Sequence, residues 1–397
     1  MDTDFEVVIA GAGIAGLTAA LSFSQMGLSV AIASPLPPPK QIDFRTSALL
    51  PTSVRFLQTL GLWENVDKAV QPFWTMRLID DAAKTRGNGA ITDFTSQDTG
   101  SEPLAYNVPN DVLRTALLES LSSNAVSIFD AKISAIETDQ GQAITLSNGA
   151  LLSAKLLVAA DGRNSFCRSH AKIICHQMPS KQFAITCLLE HSEPHHAIST
   201  EFQRRGGPFT VVPMPGNHSS LVWIEPESKG AELLNLTSSE LEVQVRRRAA
   251  GCLGKIKLLS KPQGFPIRPQ IAQKFYAPYL ALVAEAAHSL PPTGAQGLNL
   301  SLTDIATLSD VIAEALASSK DFNTQKALSL YERRRLPDAL ARFAFSNGLN
   351  LATAAQTPFG QGARRAGLSL LRSLPPIKRQ LTKLGLQPIG YTPTTMQ

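Results

Sequence analysis

One stretch near the N-terminus, "FEVVIAGAGIAGLTAALSFSQMGLSVAIAS" (residues 5–34), restricts the fold more than any other part of the chain. Val7 to Ala10 form a continuous apolar run, as a strand buried on both faces requires. Gly11, Gly13 and Gly16 follow as G-x-G-x-x-G, Leu17, Ala20 and Leu21 begin a helical stripe, and Val30 to Ala33 form a second apolar strand. Strand, glycine turn, helix and strand within about 30 residues is the arrangement that binds a dinucleotide. Gly11 makes the tight turn, Gly13 lets a pyrophosphate approach the backbone, and Gly16 lets helix pack on strand. Ala15 falls in the first helical turn, whose free N–H groups and positive end face the phosphates. The acid that usually follows the second strand is missing. Ser34 stands there and offers one hydroxyl to the ribose.

Two later segments carry glycines at strand ends. "LLVAADGRNSFCR" (156–168) puts Asp161-Gly162 after a buried strand, where a carboxylate accepts hydrogen bonds from sugar or ribityl hydroxyls. Alone, Asp-Gly is a common turn. "ALVAEAAH" (281–288) delivers Glu285 to the C-terminal end of another strand, the edge at which open α/β sheets bind ligands. "PPTGAQG" (291–297) then forms a stiff wall poor in side chains, with Pro292, Gly294 and Gly297 exposing backbone. A helix is expected from near Leu298-Asn299, its positive end aimed back at that wall. Such an end stabilises negative charge developing on a ligand. The same letters also describe an ordinary helix capped after a Pro-Gly loop, and His288 also reads as a satisfied structural histidine.

The remaining segments place these motifs. Residues 43–63 read as a helix entered through a polar turn, with Arg45 near its start, and 71–104 show little periodicity. "NVPNDVLRTALLESL" is an amphipathic helix with Val112, Leu113, Ala116 and Leu117 on one side. Short alternating strands fill 125–160. Residues 182–264 alternate at strand period between Gly, Pro and Asn turns, which reads as an antiparallel sheet inserted into the first domain. Phe183, Phe202, Phe209, Pro213 and Trp223 in that sheet would either roof a pocket or fill its core.

Composition excludes several classes. Hydrophobic content of 44% and charged content of 17% describe a folded chain with ample core. Cys167, Cys175, Cys187 and Cys252 form no C-x-x-C pair and read as reduced thiols. The seven histidines show no metal-ligand spacing, so no metal site is expected. The acidic start passes straight into a strand, which fits no secretory signal, and no apolar run is long enough to span a bilayer. A cytoplasmic location is expected. After Asp338 no acid occurs, while Arg342, Arg364, Arg365, Arg372, Lys378, Arg379 and Lys383 do. Ile377, Leu381 and Leu384 recur beside those last cations, as in a basic helix lying on anionic membrane. A solvated face or a protein-docking face has the same pattern.

Taken in order, "GAGIAG", "AADGRNSFCR" and "AEAAHSLPPTGAQGLNL" resemble the FAD-dependent aromatic hydroxylases of the para-hydroxybenzoate hydroxylase fold. "RTSALL", "LGLW", "YLALVAEAAH" and "YERRRLPD" narrow the resemblance to the ubiquinone-biosynthesis hydroxylase branch. It spans nearly the whole chain, most weakly at 71–104 and in the tail. The implied fold is α/β: a Rossmann-like FAD-binding domain (1–70, 105–180 and 265–345), an inserted antiparallel-sheet substrate domain (71–104 and 181–264), and a helical basic tail (346–397). Gly11, Gly13, Ala15 and Gly16 would then hold the FAD pyrophosphate, with Ser34 near the ribose and Arg45 on the cofactor. Asp161 would lie between FAD and a transient NAD(P)H path. Glu285 would meet the ribityl or pyrophosphate group, while Gly294, Gly297, Leu298 and Asn299 would line the isoalloxazine, with Pro292 and Gly294 as backbone around the reacting flavin.

The implied activity is hydroxylation of a prenylated phenol with NAD(P)H and O₂, through a flavin C4a-hydroperoxide, on the inner face of the membrane. The tail would serve membrane contact or a quinone-biosynthesis complex, and no nucleic acid is involved. Hydroxylation of another aromatic or polyketide, isoprenoid reduction, and a flavin-less accessory role share the motifs. Three departures stand out: Ala284-Glu285 replaces the usual Gly-Asp, Pro109 replaces an acid before Asn110, and Ser34 replaces the ribose acid. The extra methyl and methylene at 284–285 require a displaced backbone or cofactor.

Overall fold

The computed structural model describes residues 3–35, 43–80, 90–98, 100, 102–124, 126–139, 141–204, 206–319, 322–323, 325–354 and 374–397. The apolar run Val7–Ala10 is fully buried in the middle of a sheet, where helix Ile14–Gln25 packs on it. The strands lie in the order Tyr276–Ala277, Leu280–Leu282, Leu151–Ala159, Phe5–Ala10, Val30–Ala33, Ser127–Phe129. Pairings from Leu280–Leu282 through Ser127–Phe129 are all parallel. Helices Ile14–Gln25 and Gln296–Ser319 meet through a buried hydrogen bond between the Ser22 and Ser309 hydroxyls, 2.8 Å long. The α/β class and Rossmann-like crossover match the expectation from the glycine pattern.

A second large sheet runs Ile256–Leu258, Gln182–His191, His218–Pro226, Gly207–Met214, Ile198–Arg204, Thr75–Asp80, Ala90–Thr95. It departs from a wholly antiparallel sheet at one pairing: Thr75–Asp80 runs parallel to Ile198–Arg204. The poorly periodic region 71–104 thus contributes strands. Its residues Thr75 to Ile79 are only half-buried, so no apolar alternation marks them.

Which face of this sheet looks inward follows from strand parity. Phe202, Phe209 and Trp223 pair across the sheet and share one face with Leu233, Leu241 and Val245 of the helices Glu227–Leu234 and Ser238–Arg248. They are core. The opposite face presents Val212 and Ser220 towards the small sheet of Thr46–Leu49, Ala105–Pro109 and Gln71–Phe73. Thr46 donates to the Ser220 hydroxyl at 2.7 Å, and Asn107 donates to the Pro213 carbonyl at 2.8 Å.

Residues 43–63 are not one helix. Thr46–Leu49 is a strand paired with Ala105–Pro109, and the helix starts only at Pro51. Proline disfavours helical backbone in the residue before it, and Leu50 is extended (φ −73°, ψ 155°). The tail also turns back onto the body. Helix Pro375–Leu386 is followed by a segment whose Met396 is fully buried and whose Tyr391 hydroxyl donates to Asp310 at 2.7 Å. Arg364, Arg365 and Arg372 lie outside the described residues.

Candidate active site

Ala10, Ala159 and Leu282 are neighbours in register at the ends of three adjacent parallel strands. The turns that follow them, at Gly11, at Asp161-Gly162 and at Ala284-Glu285, therefore stand side by side at one sheet edge. Gly11 has φ +108°, and a β-carbon there would lie 2.3 Å from the Ala160 carbonyl oxygen. At Gly16 a β-carbon would lie 2.0 Å from the Gly11 carbonyl oxygen. Both glycines are required by packing inside the protein. Gly13 differs: a β-carbon there meets no atom within 4 Å. The helix behind it has no side-chain cap and no acid in its first turn, Ala15 included, so its N–H groups face open space with their positive partial charge.

The second turn is held by its own helix. Asp161 Oδ2 accepts from the Cys167 amide at 3.1 Å, while Oδ1 is buried without a partner. Arg168 is buried and donates to the Arg163 carbonyl and the Ala286 carbonyl, each at 2.9 Å, tying the second turn to the third. Sequence reading did not assign Arg168 this role, because its partner lies 118 residues away.

At the third turn Ala284 has φ +55°, a left-handed conformation that glycine tolerates and alanine resists. This is the structural cost of the Ala284-Glu285 departure. It is sustained by Asp304, whose Oδ2 accepts from the Ala284 amide at 3.0 Å and from His288 Nε2 at 2.6 Å, while Oδ1 accepts from Arg335 at 2.9 Å. Burial pushes the Asp304 carboxyl up, but His288 and Arg335 outweigh it and hold it below the ordinary aspartate value. His288 is a satisfied core histidine. Glu285 is exposed at the edge.

Arg45 is at the rim. It forms a bidentate pair with Asp43 at 2.7 and 2.8 Å and lies 4.9 Å over the Phe265 ring. The bonded Asp43 carboxylate raises its basicity, and Glu285 contributes to the same pull against partial burial. Ser34 donates its hydroxyl to the Pro35 carbonyl at 3.2 Å.

The glycine wall bends more sharply than its letters suggest. Gly294 (φ +67°) and Ala295 (φ +57°) are both left-handed, and the helix starts at Gln296, two residues before the expected Leu298. Gly297 and Leu298 therefore sit in its first turn, and Pro292 is exposed beside it. Asn299 ties the wall to the neighbouring strand: its Oδ1 accepts from the Leu50 amide at 2.8 Å, and its Nδ2 donates to the Ala48 and Ala295 carbonyls. Thr293 Oγ1 is buried without a partner. Gln296 bonds the Gly294 and Gly385 carbonyls and receives Arg342, so the tail touches the wall.

Residues 4–346 match the family model described as an FAD binding domain. Over 397 aligned residues, covering 98% of this chain and 91% of the relative, the chain is 31% identical to ubiquinone hydroxylase UbiL of Rhodospirillum rubrum. The chain belongs to the FAD-dependent ubiquinone-biosynthesis hydroxylase family. A second member, the 3-demethoxyubiquinol 3-hydroxylase of Escherichia coli, is 29% identical over 96% of this chain and 98% of its own length. The solved structure of Klebsiella pneumoniae HpxO complexed with FAD and uric acid has the same fold, with TM-score 0.76 and 20% identity over 97% of this chain and 98% of that one. Pseudomonas aeruginosa PqsL in complex with 2-aminobenzoylacetate does too, with TM-score 0.78 and 22% identity over 90% and 98%.

The residues present fit the cofactor this family binds. Open space at Gly13 before uncapped helix N–H groups suits a pyrophosphate, and the orphaned Asp161 Oδ1 suits a hydroxyl donor. Among the described residues no His, Cys, Asp and Glu cluster could hold a metal. None of the described helices is long and apolar enough to cross a membrane.

Proposed function

We propose that this protein hydroxylates the aromatic ring of a prenylated phenol in ubiquinone biosynthesis, with NAD(P)H and O₂ as co-substrates. The observation that carries the reading is the side-by-side placement of the Gly11, Asp161 and Glu285 turns, with room left at Gly13 and Gly162. Gly11, Gly13, Ala15 and Gly16 form the cradle for the FAD pyrophosphate, with Ser34 and Arg45 at its rim, and Asp161 and Glu285 take its hydroxyls. Pro292, Gly294, Gly297, Leu298 and the Asn299 backbone form the wall for the ring system, where the helix N-terminus favours negative charge on the bound group. FAD supplies the electron and oxygen transfer; the protein supplies placement and dryness.

The substrate class is supported by the names of the two relatives, a ubiquinone hydroxylase and a 3-demethoxyubiquinol 3-hydroxylase, and by an apolar cluster beside the wall. Leu50, Phe73, Leu104 and Ala105 are buried there, with Met76 and Val212 of the large sheet packed on them. A greasy phenol suits such apolar surroundings, and the basic tail suits a membrane or a partner protein close to it. The solved structures of PqsL with 2-aminobenzoylacetate and of HpxO with uric acid hold other rings in the same fold. The test is deletion of the gene and identification of the quinone precursor that accumulates. A precursor lacking one ring hydroxyl is the expected result; unchanged ubiquinone and no precursor contradict it.

A further inference from the structure

We propose that the outward face of the long helix Gln325–Ala354 is a docking surface for anionic membrane. From Pro337 onward the inward side of this helix is mostly polar, with Ala339 and Phe343 buried among the polar groups. Its polar residues Asp338, Arg342, Ser346, Asn347 and Asn350 are buried against the protein. The arc facing solvent carries Leu340 (47% exposed), Phe345 (53%) and Leu351 (62%), with the exposed Ala341, Ala344 and Gly348 between them. A surface helix of a soluble protein has the reverse pattern, and a continuous apolar face marks a covered surface.

The helix cannot roll to bury that face. Arg342 is bonded to Asp338, Gln296 and the Gln387 carbonyl, and Asn350 donates to Gln182 at 2.6 Å. Among the described residues nothing covers the face.

Charge selects lipid as the occupant. Past Asp338 the sequence contains seven cations and no acid. Arg333 is exposed seven residues before Leu340, two turns up the same face. Helix Pro375–Leu386 is anchored at its end through Gly385 to Arg342 and presents exposed Arg379 and Lys383. A second copy brought onto this face by a two-fold axis sets these cations against themselves. Anionic headgroups pair with them while the apolar arc enters the interface. This surface differs from the tail helix alone, whose Lys378 is bonded to Asp98 at 2.9 Å and to the Asp93 carbonyl at 2.8 Å. It also stands apart from the catalytic reading, because vesicle binding needs no turnover.

The test is flotation of the full-length, FAD-loaded protein with phosphatidylcholine/phosphatidylglycerol vesicles and with pure phosphatidylcholine vesicles. Wild type is expected to float with the anionic vesicles and far less with the neutral ones. Phe345→Glu and Leu351→Glu should each lower the bound fraction by roughly fivefold or more at an unchanged thermal midpoint and flavin content. Wild type that stays unbound, or variants that float as wild type does, overturn the proposal. So does a dimer, seen by light scattering, that Phe345→Glu dissociates without any lipid binding, since the face then belongs to a second copy.

Discussion

The amide of Ala284 donates to Asp304 Oδ2 at 3.0 Å while Ala284 itself is left-handed, so a buried carboxylate holds an alanine where glycine is the natural occupant. The relation joins the third turn to the core of the Gln296–Ser319 helix and makes the Ala-Glu departure a matter of strain.

Ala284→Gly should therefore stabilise the protein. Left-handed alanine costs about 1–2 kcal/mol, and the added glycine entropy returns roughly 0.4–1 kcal/mol of that. A net gain of roughly 0–1.6 kcal/mol is expected, read as a higher midpoint in thermal unfolding of the holoprotein. A lower midpoint would show that the methyl group makes a contact worth more than the strain.

Glycine substitutions should separate packing from cofactor binding. Gly16→Ala drives a methyl group into the Gly11 carbonyl and should cost about 2–3 kcal/mol or more in stability. Gly13→Ala meets nothing in the protein, so its stability should stay within about 1 kcal/mol of wild type. Its FAD affinity should fall at least roughly tenfold, since the methyl occupies the space a pyrophosphate needs. Denaturant unfolding of the apoprotein and FAD titration of the same samples check both; unchanged FAD affinity in Gly13→Ala would contradict the cradle.

Asp304→Asn removes one of the two carboxylate partners of a fully buried Arg335, and the partner of His288, and should cost about 3 kcal/mol at pH 7. Against the upward push of burial, Asp304 is held below the ordinary 3.8 by His288 and Arg335, and Asp338 by Arg335 and Arg342. An unfolded chain takes up protons on these groups first, so their contribution is complete above the unfolded value. It fades only as pH falls below about 4 and through the lowered folded values. Denaturant midpoints measured down the pH scale should show a steeper acid loss in wild type than in Asp304→Asn; parallel curves would refute the assignment.

Arg342→Ala should release the tail from the wall. The guanidinium joins Asp338, Gln296 and the Gly385 and Gln387 carbonyls, and its loss leaves Asp338 with one fewer cation. A cost of about 3 kcal/mol and faster proteolytic cleavage between residues 374 and 397 are expected. Cleavage at the wild-type rate would mean that the other contacts, among them Lys378 with Asp98 and Tyr391 with Asp310, hold the segment.

The first turn was legible because both its signals are local: apolar runs set the strands, and glycine spacing sets the turn. The strand Thr46–Leu49 was not, since "TSAL" has no alternation and its partner Ala105–Pro109 lies some 60 residues on. Arg168, Asp304, Gln296 and Arg342 escaped for the same reason, each being defined by a partner far along the chain. The aromatics of the large sheet could be read as roof or as core. Parity with the helices that cover them made Phe202, Phe209 and Trp223 core. The exposed apolar arc of helix Gln325–Ala354 was hidden because the same residues, buried on the other side, would describe an ordinary amphipathic helix.

The central claim, that three turns on adjacent strands form one cradle, is tested most directly by the amount of flavin the full chain retains after reconstitution and desalting, read from visible absorbance. One FAD per chain is the predicted result. A colourless protein, still folded and still without flavin after incubation with excess FAD, would contradict it.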